Sequence, residues 1–516
     1  MIPYILIDWL FDSVVLSLFT VITIIYYLST STYDKWRKLN VQHIHPVPLF
    51  GNVFKMIMGL EDQITAFGRI YRRFPNSKIC GFYQMRTPFL MIRDPELIDA
   101  ITIKDFSHFT DHGLEFDPSI NLLARSLFFA NGQKWKVMRQ KLSPGFTSGK
   151  LKCTNDQIKE CSDQLIQFVD EKLSKQSDGF DVKEIFGKFT TDVIGTCAFG
   201  LKLDTITDSD SNFRKYLNEI FGNNFKQTCI MMLGMVFPKV VKFFKLRSFP
   251  LEASNFFYSV FTDVIDYRTK NSVVRNDLAQ TLMEARKELV LNGDNATGDE
   301  KFTDLDIISN AILLFTAGAE TVSVTAAFCL YELALNRDIQ NKLRDEINSK
   351  NEKYGGQFTN EFLMDLHYAD MVLEETHRMY SITVNIIRQA TQTFKVPGMD
   401  SFIIEKGQKI VIPMSSIHHD PKYYPNPKTF DPERFTKEEK SKRPNSTFLP
   451  FGEGPRHCIG KRFAELELKL VLSKILTKFE VLPCEKTEIP LQLRRKPGLV
   501  QPRNGIWLNF RSINTS

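Results

Sequence analysis

From residue 13 to 33 the chain carries no charged side chain, and the run VVLSLFTVITIIYYL within it has no sustained polar face. A helix of that length crosses the roughly 30 Å of hydrocarbon in a bilayer. Asp8 and Asp12 precede the run, whereas Lys35, Arg37 and Lys38 follow it. The basic flank predicts that the body of the protein faces the cytosol. The charged leader and small-residue cut site of a cleaved signal peptide are not seen, nor are the arginines of a mitochondrial presequence. Residues 1–34 are therefore read as a retained signal anchor, with the buried first helix of a soluble fold as the alternative. HPVPLFG (45–51) is stiffened by its prolines and ends a basic hinge over residues 35–51. The remainder, 52–516, reads as one large domain, because no repeat or low-complexity linker divides it.

Within that body, short apolar runs near 78–83 and 89–92 predict strands, and most of the middle follows helical periodicity. FPKVVKFFKLRSFP (237–250) mixes basic and aromatic residues between prolines; it either dips into a lipid interface or forms a basic surface turn. After the polar loop LNGDNATGDEK (291–301), Thr303 and Asp306 form a capping-box pattern. From there to Asn336 only Gly318 interrupts helix-compatible residues, which predicts a rod of roughly 50 Å at 1.5 Å per residue. Its centre, IISNAILLFTAGAETVSVTAAF, is apolar nearly all round, so the helix should run through the core. Glu320 in its middle costs several kcal/mol unless paired or hydrated. Beyond residue 380, turns such as Pro397-Gly398 and Lys406-Gly407 separate short strands. The fold class is mainly α with a smaller β-rich part.

Composition adds less. Forty-three phenylalanines predict an apolar interior, either with room for a large apolar guest or simply filled by rings. Sixty-six Lys and Arg against 60 Asp and Glu leave +6, too weak a bias for nucleic-acid binding. None of the eight cysteines forms CxxC, which removes a zinc ribbon, a thioredoxin-type pair and covalent haem attachment through CxxCH. Their spacing fits reduced, mostly buried thiols.

One cysteine differs from the rest. In FGEGPRHCIG (451–460), Gly454 and Gly460 remove side chains where a loop would approach a flat cofactor, and Arg456 offers a carboxylate partner. A helix, FAELELKLVLSKIL, follows, and its N-terminal amides are expected to favour a thiolate at Cys458. The loop matches F-x-x-G-x-R-x-C-x-G from Phe451 to Gly460 and resembles the haem-binding loop of the cytochrome P450 family. Other signatures follow the family's order: Trp135 to Arg139 resembles W-x-x-x-R, Ala317-Gly318-Ala319-Glu320-Thr321 the oxygen-binding motif, Glu375 to Arg378 E-x-x-R, and Pro432 to Phe435 P-E-R-F. The resemblance runs from about residue 10 to about residue 505.

It implies the cytochrome P450 fold, with the long central helix through the core, an N-terminal transmembrane anchor and haem b as cofactor. Cys458 would be the axial thiolate on the iron. Trp135, Arg139, Arg388 and Arg456 would bind the haem propionates, and Glu375, Arg378 and Arg434 would lock the fold beneath the haem. Ala317 and Gly318 would shape an oxygen groove, and a back-bonding Thr321 would open the helix there. Glu320 and Thr321 would relay protons, with a structural salt bridge as the other reading of Glu320. A substrate pocket would draw on Phe116, Leu122, Phe315, Ile382, Val384 and Leu499, each of which is otherwise core. Val322, Ser381 and His377 depart from the common pattern, and the hinge has only two prolines.

DHGLEF (111–116) and FTSGKLK (146–152) are similar to insect microsomal members that oxidise foreign compounds. That implies a monooxygenase of the endoplasmic reticulum acting on a lipophilic small molecule, such as a xenobiotic, plant toxin or insecticide. NADPH electrons would arrive through NADPH–cytochrome P450 reductase, with cytochrome b5 as a further partner. No G-x-G-x-x-G follows a strand, so NADPH itself is not expected to bind. Lys134, Lys136, Lys141, Lys461 and Arg462 would supply the docking charge. Alternatives are a steroid, hormone or fatty-acid hydroxylase, a haem-thiolate isomerase or dehydratase, and a non-catalytic lipophile binder. His457 beside the cysteine reads as a surface residue that tunes reductase contact or packs near a propionate. Accordingly His457→Ala should keep the reduced-CO absorption band of a haem thiolate and Cys458→Ala should abolish it; the reverse pattern in difference spectra would reassign the ligand.

Overall fold

The computed structural model describes residues 2–114, 116–173, 179–208, 210–222, 225–291, 302–399 and 402–513, with the backbone alone for 2–11, 225, 232, 235, 236, 238 and 288–291. Glu115 and the predicted polar loop after Leu291 lie outside the described residues.

Two described helices are long and apolar enough to cross a membrane, and burial separates them. Asp12–Thr30 belongs to the helix Ile2–Thr30, and it presents Leu16, Phe19, Ile22 and Tyr27 outward with more than half of each exposed. A surface that apolar on an unpartnered helix marks it as a candidate membrane anchor. The other, Asp304–Leu335, is the predicted central rod. Thr303 and Asp306 form the expected capping box, and Asn336 ends the helix. Arg125 (3.2 Å) and Lys134 (2.9 Å) meet the buried Asp306 carboxylate and fasten this end to the neighbouring segments.

Three sheets flank the helical body among the described residues. Strands β1 (Ile79–Gln84) and β2 (Thr87–Ile92) form an antiparallel hairpin, close to the predicted runs. With β3 (Phe180–Asp181), β4 (Ile386–Gln389), β5 (Phe394–Lys395), β6 (Ile403–Ile404), β7 (Lys409–Ile412), β8 (Phe479–Pro483) and β9 (Trp507–Ser512), they give the orders β1-β2-β7-β4, β3-β9-β8 and β5-β6. Only the β2–β7 pair is parallel.

The predicted hinge is docked rather than loose. Trp36 is fully buried and donates from Nε1 to the Phe82 carbonyl at 3.2 Å, while Tyr83 Oη donates to the Tyr33 carbonyl at 3.0 Å. Its ring lies flat on Gly81, where any Cβ would overlap it. The end of the anchor helix is thereby tied to β1.

Glu375 and Arg378, three residues apart on the helix His367–Met379, form a bidentate ion pair at 2.6 and 2.8 Å with no exposure. Arg378 also donates to the His418 carbonyl at 2.9 Å, and Glu375 accepts from the Asp431 amide at 2.8 Å. Arg434 stands 3.4 Å from the same carboxylate as a charge contact without hydrogen-bond alignment. Burial raises the Glu375 pKa, and Arg378 is the strongest influence opposing that rise. Glu375→Ala leaves a buried guanidinium unpaired and should cost about 3–5 kcal/mol, seen as a large fall in the unfolding midpoint. Lys440→Ala, which breaks the partly exposed Lys440–Glu374 pair, should cost about 0–1 kcal/mol. Thermal unfolding of the two variants side by side checks the difference.

Candidate active site

The Cys458 loop is built by close backbone contacts. Gly454 has φ +71°, and a Cβ there would overlap the Thr102 carbonyl oxygen. Its glycine is thus required by the neighbouring chain. Gly460, with φ −91°, would meet only Phe146 at 3.9 Å, so no such constraint acts there. Cys458 donates its amide to the Phe451 carbonyl at 2.8 Å and leads into the helix Lys461–Lys478. Cys458 is an exposed residue whose thiol is nonetheless closely surrounded by protein. The expected lowering of its pKa is outweighed: burial pushes the thiol up, although the Gly460 amide, Arg139 and Lys461 pull the other way.

Two buried arginines, one within the loop, form no ion pair with a carboxylate among the described residues. Arg456 stacks on Trp135 at 4.3 Å, donates to the carbonyls of Thr110 (2.7 Å) and Ala130 (2.6 Å), and leaves Nη1 without a partner. Arg388 on β4 donates to the Ile387 carbonyl at 2.9 Å and leaves Nε without one. Desolvation pushes their pKa values down to about 9 and about 10. Buried guanidiniums of this kind demand anions. His112, absent from the sequence expectation, is held well below its usual range by burial and by both arginines. Arg139 instead serves the loop: Nη1 donates to the His457 carbonyl at 2.9 Å, and Nη2 faces His457 Nε2 at 3.4 Å. His457 Nδ1 lies 2.7 Å from the Gly454 carbonyl, so this histidine is a brace within the loop.

The central helix supplies a second wall. From Asp306 to Ala334 only Leu313, Ala317, Gly318 and Thr321 are less than fully buried, and 313, 317 and 321 fall on one face at i, i+4 and i+8. Thr321 Oγ1 donates to the Ala317 carbonyl at 2.8 Å as expected, yet the helix stays regular through this region instead of opening. Gly318 is small for a different neighbour: a Cβ there would stand 2.9 Å from Ile194 Cδ1. Val322 is buried in the core.

Glu320 turns away from solvent into a charge cage, the salt-bridged arrangement given as its other reading, with partners that the sequence did not name. Lys183 Nζ lies at 2.8 Å, Arg214 Nη1 at 3.3 Å, and Gln501 donates at 2.6 Å. Despite the desolvation that opposes it, these cations hold the carboxyl below its usual pKa. Arg214 shares a second carboxylate, Glu184.

Of the expected pocket residues, Phe116 joins Phe129 (5.2 Å) and Phe249 (5.8 Å) in an aromatic group unforeseen from the sequence. Leu122 lines a crevice of about 230 Å³ beside Phe249. The Val500 amide donates to the Ile382 carbonyl at 2.8 Å, which brings Leu499 next to Ile382. Val384 is buried, and Phe315 is committed to a packed cluster with Phe199, Phe213, Phe257 and Phe261. Ser381 has a bonding role: it pairs at 2.9 Å with His418 Nδ1, whose Nε2 accepts from the Leu449 amide just before the loop.

The residues fit haem. An exposed cysteine stands on the loop, two buried guanidiniums with unfilled donors suit a pair of carboxylates, and Ala317, Gly318 and Thr321 keep the half-buried helix face small. The cytochrome P450 family profile matches residues 42–510. Among relatives, cytochrome P450 6a2 of Drosophila melanogaster is 35% identical over 96% of this chain and 99% of its own length. Cytochrome P450 6k1 of Blattella germanica is 35% identical, covering 96% of each chain, and cytochrome P450 6B2 of Helicoverpa armigera is 36% identical over 95% and 96%. Motifs, architecture and full-length similarity agree, and the chain belongs to the cytochrome P450 family.

Proposed function

We propose that this chain is a membrane-anchored monooxygenase that inserts one oxygen atom from O2 into a lipophilic small molecule, of the xenobiotic, plant-toxin or insecticide class. The observation that carries the reading is a loop that holds the exposed Cys458 together with Arg456, whose buried guanidinium and that of Arg388 each keep a nitrogen without a partner among the described residues. Haem with a thiolate ligand, when bound, supplies the reductive chemistry of dioxygen.

The chain's own residues hold and prepare that site. Cys458 Sγ would be the iron ligand. Arg388 and Arg456 would pair with the propionates, with Trp135 stacked on Arg456, and Arg139 would act by holding the loop. Ala317, Gly318 and Thr321 would bound the space for dioxygen, and apolar neighbours would exclude bulk water. Thr321 Oγ1 is the group placed to hold a proton there. Glu320, kept ionised by Lys183 and Arg214, would take up and pass on protons rather than store one.

Electrons would come from a flavoprotein reductase, with cytochrome b5 as a second donor, docked on the Cys458 side. Exposed Lys136, Lys461 and Arg462 suit an acidic partner, whereas Lys134 is engaged by Asp306. Lipid would take up the exposed helix Asp12–Thr30. Phe243 and Phe244, 81% and 64% exposed beside Lys242 and Lys245, suit a second contact with the bilayer. Both fit an endoplasmic-reticulum enzyme with its body in the cytosol.

With reductase, NADPH and a panel of lipophilic compounds, product should carry one atom of 18O from 18O2; no labelled product from any compound, despite a normal reduced-CO band, would favour the binder reading. In the same assay Thr321→Val should keep the band and lower product formation roughly a hundredfold. Arg388→Leu and Arg456→Leu should each lower the haem-to-protein ratio after purification, and the double variant should be largely apoprotein; full haem occupancy in the double variant would remove these residues from the propionate site.

A further inference from the structure

The crevice of about 230 Å³ beside Phe249 is separate from the candidate active site, because none of Cys458, Arg388, Arg456, Ala317 or Thr321 lines it. Three parts of the fold meet there. Ile120 comes from the segment leading into the short helix Leu122–Arg125, Phe249 from the end of the basic and aromatic segment before the helix Leu251–Lys270, and Leu305 from the first turn of the central helix. With Leu122 they make much of the lining apolar. The volume falls below the roughly 300–1,000 Å³ of drug-sized sites, so it suits one short chain or a single ring.

The polar part of the lining is rich in donors and carries one sign of charge. Arg247 is the one charged residue among the described residues that line it, and no carboxylate among them pairs with its guanidinium. The carboxylates of this region are engaged elsewhere: Asp117 with Lys242 at 3.1 Å, Asp304 with Arg286 at 2.7 Å, and Asp306 with Arg125 and Lys134. Glu252 is exposed and outside the lining. Asn121, which lines the crevice, is only 4% exposed. Its Oδ1 accepts from the Ser248 amide at 3.0 Å, which fixes the side-chain amide and leaves the Nδ2 donors without a partner among the described residues. The exposed Tyr258 adds a hydroxyl, whereas the Ser254 hydroxyl is already given to the Pro250 carbonyl at 2.7 Å.

A buried amide donor and an unpaired guanidinium are both answered by an acceptor that carries negative charge. A cationic guest would meet Arg247 with like charge, and a neutral one would leave the guanidinium without a counter-ion. We infer that this crevice binds a small lipophilic carboxylic acid in its ionised form, with the carboxylate on Arg247 and Asn121 and the apolar body against Ile120, Leu122, Phe249 and Leu305. The planar guanidinium suits a carboxylate because two N–H groups can meet its two oxygens. The exposed Phe243 and Phe244, which suit a bilayer contact, lie in the same segment as Arg247, so the head group of an anionic lipid is the other source of this chemistry.

The test uses the full-length, haem-loaded chain in phosphatidylcholine nanodiscs, with empty nanodiscs as background. Equilibrium dialysis at neutral pH measures binding of octanoate and of 1-octanol, which has the same chain without the charge. Because binding is read without turnover, the outcome is independent of the monooxygenase reading. Octanoate should bind about tenfold more tightly than 1-octanol. Arg247→Gln should remove that difference by weakening octanoate, and Arg247→Lys should keep part of it. Leu305→Trp narrows the crevice while keeping both donors, and it should weaken both compounds; a normal reduced-CO band checks the folding of each variant. Adding phosphatidylserine to the discs should leave octanoate bound. Equal binding of the two compounds by the unchanged chain, undiminished octanoate binding in Arg247→Gln or Leu305→Trp, or loss of octanoate to phosphatidylserine, which would give the site to a lipid head group, would each overturn the inference.

Discussion

A carboxylate and a guanidinium with no access to water, on Glu375 and Arg378, hold the rest of the site in register. Neither charge is tolerable alone in that environment, so each must keep its partner. Their remaining hydrogen-bonding capacity is spent on backbone: the His418 carbonyl and the Asp431 amide. His418 in turn accepts from the Leu449 amide, two residues before Phe451 opens the Cys458 loop. A local ion pair on one helix thereby sets where a loop some eighty residues later begins.

Around the candidate active site, charge is distributed by sign. Arg388 and Arg456 keep donor capacity unfilled among the described residues, which is the condition that receives a dianion such as a pair of propionates. On the central helix the balance is reversed in form: Glu320 has two cations and an amide and needs nothing further. The first arrangement is poised for binding and the second holds a fixed negative charge behind Thr321. Both depend on desolvation, because the same groups in water would be screened and nearly indifferent to one another.

Much of the fold was legible because its signals are local. The capping box, the length and apolar centre of the central helix and the β1–β2 runs need only neighbours in sequence, and all were found close to their predicted places. The haem-loop motif was legible for the same reason, since its residues are contiguous. What was missed depends on distant partners. Gly318 answers to Ile194, Gly454 to Thr102, and Arg139 to His457. Lys134 looked like free surface charge and is held by Asp306.

By itself the sequence determined the membrane-length apolar segment, the mainly helical class, the central helix and the family motif around Cys458, because each rests on periodicity or a short contiguous pattern. Only the tertiary structure decided the protonation tendencies and the use of individual side chains. The Cys458 thiol is pushed up by burial despite the helix that follows it, and Glu320 is held ionised despite burial. Phe315 is spent on packing while Phe129 and Phe249 join Phe116. The physical reason is the same in each case: desolvation and pairing depend on which residues meet in space, and contacts between separate elements leave no local mark in the chain.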